Sequence, residues 1–326
     1  MAANYPGCSS FVRQIYTRKG ITGDTIDVLL ASLSPSTWKQ YNCTFSKWWS
    51  FCSGNRVHIF SPDTSQVLAF LEKEFKRGAN YNTLNTHRSA LNFICDVGKC
   101  ELVERFMKGV FKIKPTFPRY DEIWDPLPVL TFAENLSPLQ KLTLKKLTLK
   151  LVILLAMSSA QRAQTLAKIK ISNISTQENG LVIHITDIIK TSAPQRCQPK
   201  LVFPAFKEKP NLCTATTLQH YINVTRELRG NYDQLILTHK KPYHPATPQT
   251  ISRWIKNALK LSGIDTKKFK SHSTRHAAST AALQSGIHID NIKSAAGWSE
   301  KSETFAKFYN RPRDEYFANY IKEIAQ

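Results

Sequence analysis

The sequence predicts a mainly α-helical chain with one small antiparallel β-sheet, an α+β chain divided into two domains. Three observations lead there. Apolar residues recur at three- and four-residue steps through most of the 326 residues. One stretch, 181–189, alternates instead and is rich in β-branched residues, and 200–203 reads as a strand returning beside it. Between about 112 and 130 the helical period gives way to a run with four prolines.

Taken in order, residues 1–20 are small and polar at first and read as poorly structured. Residues 37–52 carry Trp38, Tyr41, Phe45, Trp48 and Trp49 on one helical face. Residues 65–76 (Val67, Leu68, Phe70, Leu71, Phe75), 81–95 (Leu84, His87, Leu91, Ile94) and 102–111 complete an all-α N-terminal domain, 1–112. A proline-rich linker, 113–130, separates it from a second domain, 131–326.

The second domain opens on a helix near 138–159, whose Lys141, Lys145, Lys146 and Lys150 form either a phosphate-facing stripe or a solvated face. Its apolar stretch, 147–157, is too short to span a bilayer and reads as buried. In the strand 181–189, Leu181, Ile183 and Ile185 take one face, and Val182, His184 and Thr186 the other. Further helices are expected at 215–228, 248–261, 273–285, 290–296 and 313–324.

Lys and Arg exceed Asp and Glu by 45 to 24, a net charge of +21. A polyanionic partner offsets the self-repulsion of such a chain, and nucleic acid is the commonest one. A membrane surface is the rival, but no lipidation motif or basic amphipathic anchor is present. The seven cysteines include no CxxC pair and no zinc spacing with nearby histidines, so they read as reduced thiols of an intracellular protein.

Four segments carry chemistry. His272-Ser-Thr-Arg275-His276 begins a helix, whose N-terminus already favours anions. Arg162 follows the buried helix, where arginine needs a phosphate or carboxylate partner. Lys190 sits at the hairpin turn, with Lys200 its competitor across the hairpin. Trp298 follows a glycine turn, and Tyr309 lies eleven residues further on. His276 reads as a helix-packing residue, Arg162 has an ion-pair alternative, and Trp298 has a core-packing one.

In order and spacing these segments resemble the tyrosine recombinase (phage integrase) family over the second half of the chain. The phrases PRYDEIWDP, LTLKLVILLAMSSAQRAQTL and TFAKFYNRP are similar to recombinases of eukaryotic mobile elements, DIRS-like retrotransposons or Cryptons. The resemblance implies a two-domain clamp around double-stranded DNA bearing element-end sites. It makes Tyr309 a nucleophile that forms a 3′-phosphotyrosine, with Tyr316 and Tyr320 as lesser candidates. Arg162 and Arg275 clamp the phosphate, Trp298 donates its indole N–H, His272 moves the tyrosine proton and Lys190 protonates the leaving oxygen. No metal, ATP or other cofactor is implied. Many members have an acidic residue three positions after the first arginine; here Thr165 stands there, so Arg162 must be oriented by something else.

The C-terminal stretch 313–326 places Phe317, Tyr320, Ile321 and Ile324 on one face. The resemblance implies a helix exchanged between subunits of a DNA-bound tetramer, and a nuclear location. Candidate DNA contacts are Arg88, Lys141, Lys145, Arg253 and Lys256. Competing readings are a relaxing enzyme like a type IB topoisomerase, a catalytically idle domesticated DNA-binding protein, and a basic scaffold.

Overall fold

The computed structural model describes residues 4–95, 97–117, 120 and 122–299. The chain divides into two units, Met1–Phe117 and Pro118–Gln326.

The first unit is helical: α1 Cys8–Arg18, α2 Asp24–Ala31, α3 Pro35–Asn55, α4 Thr64–Lys76, α5 Tyr81–Leu91 and α6 Glu101–Ile113. Local signals start several of these helices. The Ser34 hydroxyl accepts from the Thr37 N–H ahead of Pro35 in α3. A reciprocal capping box starts α4, with Gln66 N–H donating to Asp63 at 2.8 Å and Asp63 N–H donating to the Gln66 side chain at 3.0 Å. Phe45, Trp48, Phe70, Leu71 and Leu84 form the centre of the core. One charge is buried with them. Lys47 and Arg77 donate to the two Glu74 oxygens at 2.6 and 2.7 Å. Burial pushes that carboxyl up, but these bonds outweigh it and the net direction is down.

The expectation of an unstructured start is corrected by α1. Phe11, Val12 and Ile15 are buried, and the Phe11 ring meets Phe45 at 5.0 Å and Trp49 at 5.7 Å. Gly7 supplies no side-chain cap, so tertiary packing rather than a local signal holds this helix.

The expected linker 113–130 is also corrected. A helix, α7, spans Pro126–Asn135; Asp125 caps it and Pro126 occupies its first position, where a missing N–H costs nothing. Tyr120 and Trp124 are core residues of the second unit. The Trp124 indole donates to the Ser273 hydroxyl at 2.8 Å, and Tyr120 lies against Phe269 and His276. Buried aromatics draw this half of the segment into the second unit.

The second unit continues with α8 Leu144–Ser159, α9 Ala163–Leu166, β1 Ile174–Gln177, β2 Gly180–His184, β3 Lys200–Pro204, α10 Thr214–Thr225, α11 Pro248–Leu261, α12 Ser273–Gln284 and α13 Ile289–Ala296. The apolar helix α8 is central, with α10, α11 and α12 against it. Its lysines do not form one stripe: Lys141, Lys145 and Lys146 are exposed, but Lys150 is fully buried and donates to the Leu136 carbonyl at 2.7 Å. Burial lowers the Lys150 pKa.

The sheet has antiparallel order β1-β2-β3, one strand more than the expected hairpin. Ser175, Thr176 and Gln177 of β1 are polar and exposed, so β1 leaves no apolar alternation in the sequence. Val182 is buried, contrary to the expected outward face; it sits in the central strand between Ser175 and Val202. The strand ends at His184 rather than 189, where side-chain bonds from Asn173 to Thr186 and Lys170 to Asp187 replace the ladder.

Gly180 makes the β1–β2 turn at φ +146°, and a Cβ there would lie 2.2 Å from the Phe203 carbonyl oxygen. Gly180→Ala is therefore expected to destabilise the second unit by about 1–3 kcal/mol, measured as a lowered denaturant midpoint. An unchanged midpoint would contradict this register.

Candidate active site

Three turns of the second unit build the site. The first follows α8, where Ala160 adopts the left-handed conformation at φ +49°. The chain then reverses, with Gln161 buried and Arg162 half-buried as the residue that begins α9. Thr165 is buried one turn later, its N–H on the Arg162 carbonyl at 2.8 Å.

The second turn leads into α12. The Ser273 and Thr274 hydroxyls donate back to the Lys270 and Ser271 carbonyls at 2.7 and 2.8 Å, fixing the entry of the helix. This places His272 at the helix start and Arg275 in the interior, 1% exposed. The Arg275 Nη1 donates to the carbonyls of Ala160 and, at 3.1 Å, Ala296.

The third turn follows α13. Gly297 is left-handed at φ +69°, and the Trp298 N–H returns to the Lys293 carbonyl at 2.8 Å, a Schellman-type ending. Trp298, 7% exposed, places its ring centroid 4.4 Å from the Arg275 guanidinium carbon. Its small cluster with Ala160, Ile292 and Ala296 joins the third turn to the first.

A cavity of about 350 Å³ opens between the first two turns, lined by Gln161, Arg162, His272 and Arg275, with Gln249 and Ser252 of α11 opposite. Its electrostatics show in His272. Burial, followed by the charges of Arg275, His276, Arg162 and Lys190, holds its pKa down to about 4. His272 has cationic neighbours and still presents an exposed surface to solvent. Lys190 lies exposed in the β2–β3 connection and contributes through this field. The imidazole is thus neutral at physiological pH and able to take a proton, among cations suited to an oxyanion.

Arg162, Lys190, His272, Arg275 and Trp298 are thereby brought into one neighbourhood. Tyr309, Tyr316, Tyr320 and the C-terminal stretch 313–326 lie outside the described residues. His276 is buried against Tyr120, as a packing residue is. Of the candidate DNA contacts, Arg253 and Lys256 are exposed on α11, and Lys256 stands one and two turns along from Ser252 and Gln249 of the cavity. Lys141 and Lys145 are exposed before and within the first turn of α8. Arg88 lies in the first unit, beside an apolar cleft formed with Tyr81, Met107 and Phe111. Sequence reasoning missed Gln161, Gln249, Ser252 and also Arg196, which donates to the Gly297 carbonyl at 3.0 Å. None of the four belongs to a spacing pattern.

The folded chain resists protonating His272 until about pH 4, whereas the unfolded chain takes up that proton near 6.5. Between these values the unfolded state binds more protons, so stability falls as pH drops through the window. The expected NMR titration midpoint of His272 in the free protein is about 4, and His272→Gln should lessen the acid loss of stability. A midpoint near 6.5 would contradict the cationic enclosure.

Residues 129–315 match the model of a family described as the phage integrase family, a span that includes the sequence position of Tyr309. No curated protein matches the chain. Among solved structures, the chain is similar to the XerH site-specific recombinase bound to a palindromic difH substrate in a post-cleavage complex, with TM-score 0.64, 14% identity and coverage of 89% of this chain and 80% of that one. It is similar to the Tn1549 transposon integrase in complex with transposon right end DNA, with TM-score 0.57, 15% identity and coverage of 98% and 100%. It is also similar to a lambda integrase dimer bound to a COC′ core site, with TM-score 0.54, 18% identity and coverage of 89% and 95%. These likenesses establish a shared fold, and the family match spans more than half of the chain and takes in every residue named for the cationic cavity; on that ground the chain belongs to the phage integrase family of tyrosine recombinases.

Proposed function

We propose that this enzyme is the site-specific recombinase of a mobile element, cleaving and rejoining double-stranded DNA through a 3′-phosphotyrosine at Tyr309. The observation that carries the reading is the single cavity lined by Arg162, His272 and Arg275, with Lys190 acting on the same imidazole.

The chemistry follows from charge. A phosphodiester under attack gathers negative charge on its non-bridging oxygens, and Arg162 and Arg275 neutralise it from positions fixed before the substrate arrives. The Tyr309 phenol oxygen forms a bond to phosphorus while the bond to the 5′-oxygen breaks. His272, neutral beforehand, receives the phenolic proton, and Lys190 supplies a proton to the departing 5′-oxygen. Trp298 holds the guanidinium of Arg275 with its ring face and directs its indole N–H to the same phosphate. The covalent link retains the energy of the broken ester, so a 5′-hydroxyl reverses the step without ATP. These side chains supply the charge that a metal provides in other phosphoryl-transfer sites.

Two units clamp the duplex in this reading, with phosphates contacted by Arg88, Lys141, Lys145, Arg253 and Lys256. The neighbours bound to DNA include lambda integrase as a dimer and as a tetramer on a Holliday junction. By analogy a tetramer assembles here on element-end sites, with residues 313–326 passed to the next subunit. A nuclear setting belongs to this proposal, on the resemblance of the phrases PRYDEIWDP and TFAKFYNRP to DIRS-like or Crypton recombinases.

A suicide substrate carrying the element's ends, incubated in EDTA, is expected to yield a denaturation-resistant adduct that Tyr309→Phe abolishes. Arg162→Ala and Arg275→Ala should each slow its formation by about 10²–10³-fold. An adduct that persists in Tyr309→Phe moves the nucleophile to Tyr316 or Tyr320. Tight binding without an adduct favours an idle DNA-binding protein, and relaxation of any plasmid by a monomer favours the topoisomerase reading. Binding through six to ten phosphates should weaken by about 10³–10⁵ between 50 and 200 mM salt, measured by titration; a flat salt response would contradict a phosphate-dominated interface.

A further inference from the structure

Three consecutive carbonyls at the end of α13 are each captured by a side chain from a different part of the second unit. The Gln161 amide donates to Ala295 at 2.7 Å, Arg275 to Ala296 at 3.1 Å and Arg196 to Gly297 at 3.0 Å. A helix leaves its last carbonyls without intrahelical donors, and they carry its negative partial charge. Two cations and an amide satisfy them here. The donors come from the turn after α8, from α12 and from the β2–β3 connection, all remote in sequence.

We propose that Gln161 and Arg196 are positioning residues for the recombination chemistry, which set Trp298 against Arg275 by holding the end of α13. The inference rests on the reading of the cavity as a recombinase site. Gln161 is 2% exposed, and its backbone N–H is also held by the Ser159 hydroxyl at 3.3 Å. It immediately precedes Arg162, so anchoring its side chain on α13 orients the neighbouring arginine. Arg196 lies six residues after Lys190, so its bond to Gly297 ties the lysine's connection to the turn that presents Trp298. That turn is tight: a Cβ on Gly297 would lie 3.4 Å from Pro199 and 3.7 Å from the Gln161 amide nitrogen. One junction thus fixes both arginines, the lysine connection and the point from which the chain leaves toward Tyr309. An amide is required at 161, because a carboxylate there would face accepting carbonyls and could not donate.

The test uses the full chain labelled with 5-fluorotryptophan, whose six resonances are assigned by substitution, with Trp298→Phe identifying Trp298. Gln161→Met, Gln161→Glu, Arg196→Met and Arg196→Lys are compared. Gln161→Met and Arg196→Met are expected to move the Trp298 resonance and leave the other five in place. Single-turnover cleavage should fall by about 10²-fold, the scale of a 1 Å misplacement, while the DNA affinity of Gln161→Met stays within about twofold of the parent. Gln161→Glu should act in the same direction as Gln161→Met, and Arg196→Lys, which keeps a cationic donor, should recover most of both signals. An unmoved Trp298 resonance in the two methionine variants overturns the proposal, as does a moved resonance with undiminished cleavage. A parent chain that forms no adduct overturns the recombinase reading instead, and the fluorine spectrum then still decides whether the clamp exists.

Discussion

Arg275 carries a permanent charge into the interior of the second unit, and the arrangement around it follows from making that burial tolerable. At 1% exposure the guanidinium has lost bulk water, and an uncompensated buried charge is among the costliest groups a fold can hold. Among the described residues, two backbone carbonyls and an indole face stand against it. One carbonyl belongs to Ala160, which is why α8 must end in a left-handed turn there. The other belongs to Ala296, which is why α13 must finish against α12. The same compensation brings Arg162 and Trp298 to one place.

Among the described residues that line the cavity none is acidic, and burial, followed by the charges of Arg275, His276, Arg162 and Lys190, holds the His272 pKa far below its ordinary value. In the proposed reaction the cations need no rearrangement as charge develops on a phosphate, which is the condition for electrostatic stabilisation of a transition state. The contrast with Glu74 in the first unit is instructive. There a buried carboxylate is matched by Lys47 and Arg77, and the result is a neutralised structural network with no unmet demand for a ligand.

The net charge of +21 works on a longer range than either network. Exposed Lys141, Lys145, Arg253 and Lys256 keep their hydration and give a field suited to attracting a polyanion, screened by salt as surface charges are. In the proposed reaction the half-buried Arg162 and the buried Arg275 act at short range on particular oxygens. Separating the two roles allows affinity to be set by many weak exposed charges and chemistry by few enclosed ones.

Sequence by itself determined the helical class, most boundaries of the helices it predicted and the family, and it singled out Arg162, Lys190, His272, Arg275 and Trp298 as site candidates, because periodicity, caps and ordered motifs are local or linear properties. Pro248–Leu261 was legible to the residue from its Thr247 cap and proline start. Tertiary structure alone decided features whose cause is a distant partner. The helix Cys8–Arg18 exists because Phe11 finds Phe45 and Trp49; β1 exists because β2 offers it a ladder; Lys150 is buried because the Leu136 carbonyl lies within reach. Prolines that suggest a linker instead start a helix once Tyr120 and Trp124 find a core. Gln161 and Arg196 were invisible for the same reason: each is defined by a carbonyl more than a hundred residues away, and no local pattern encodes such a bond.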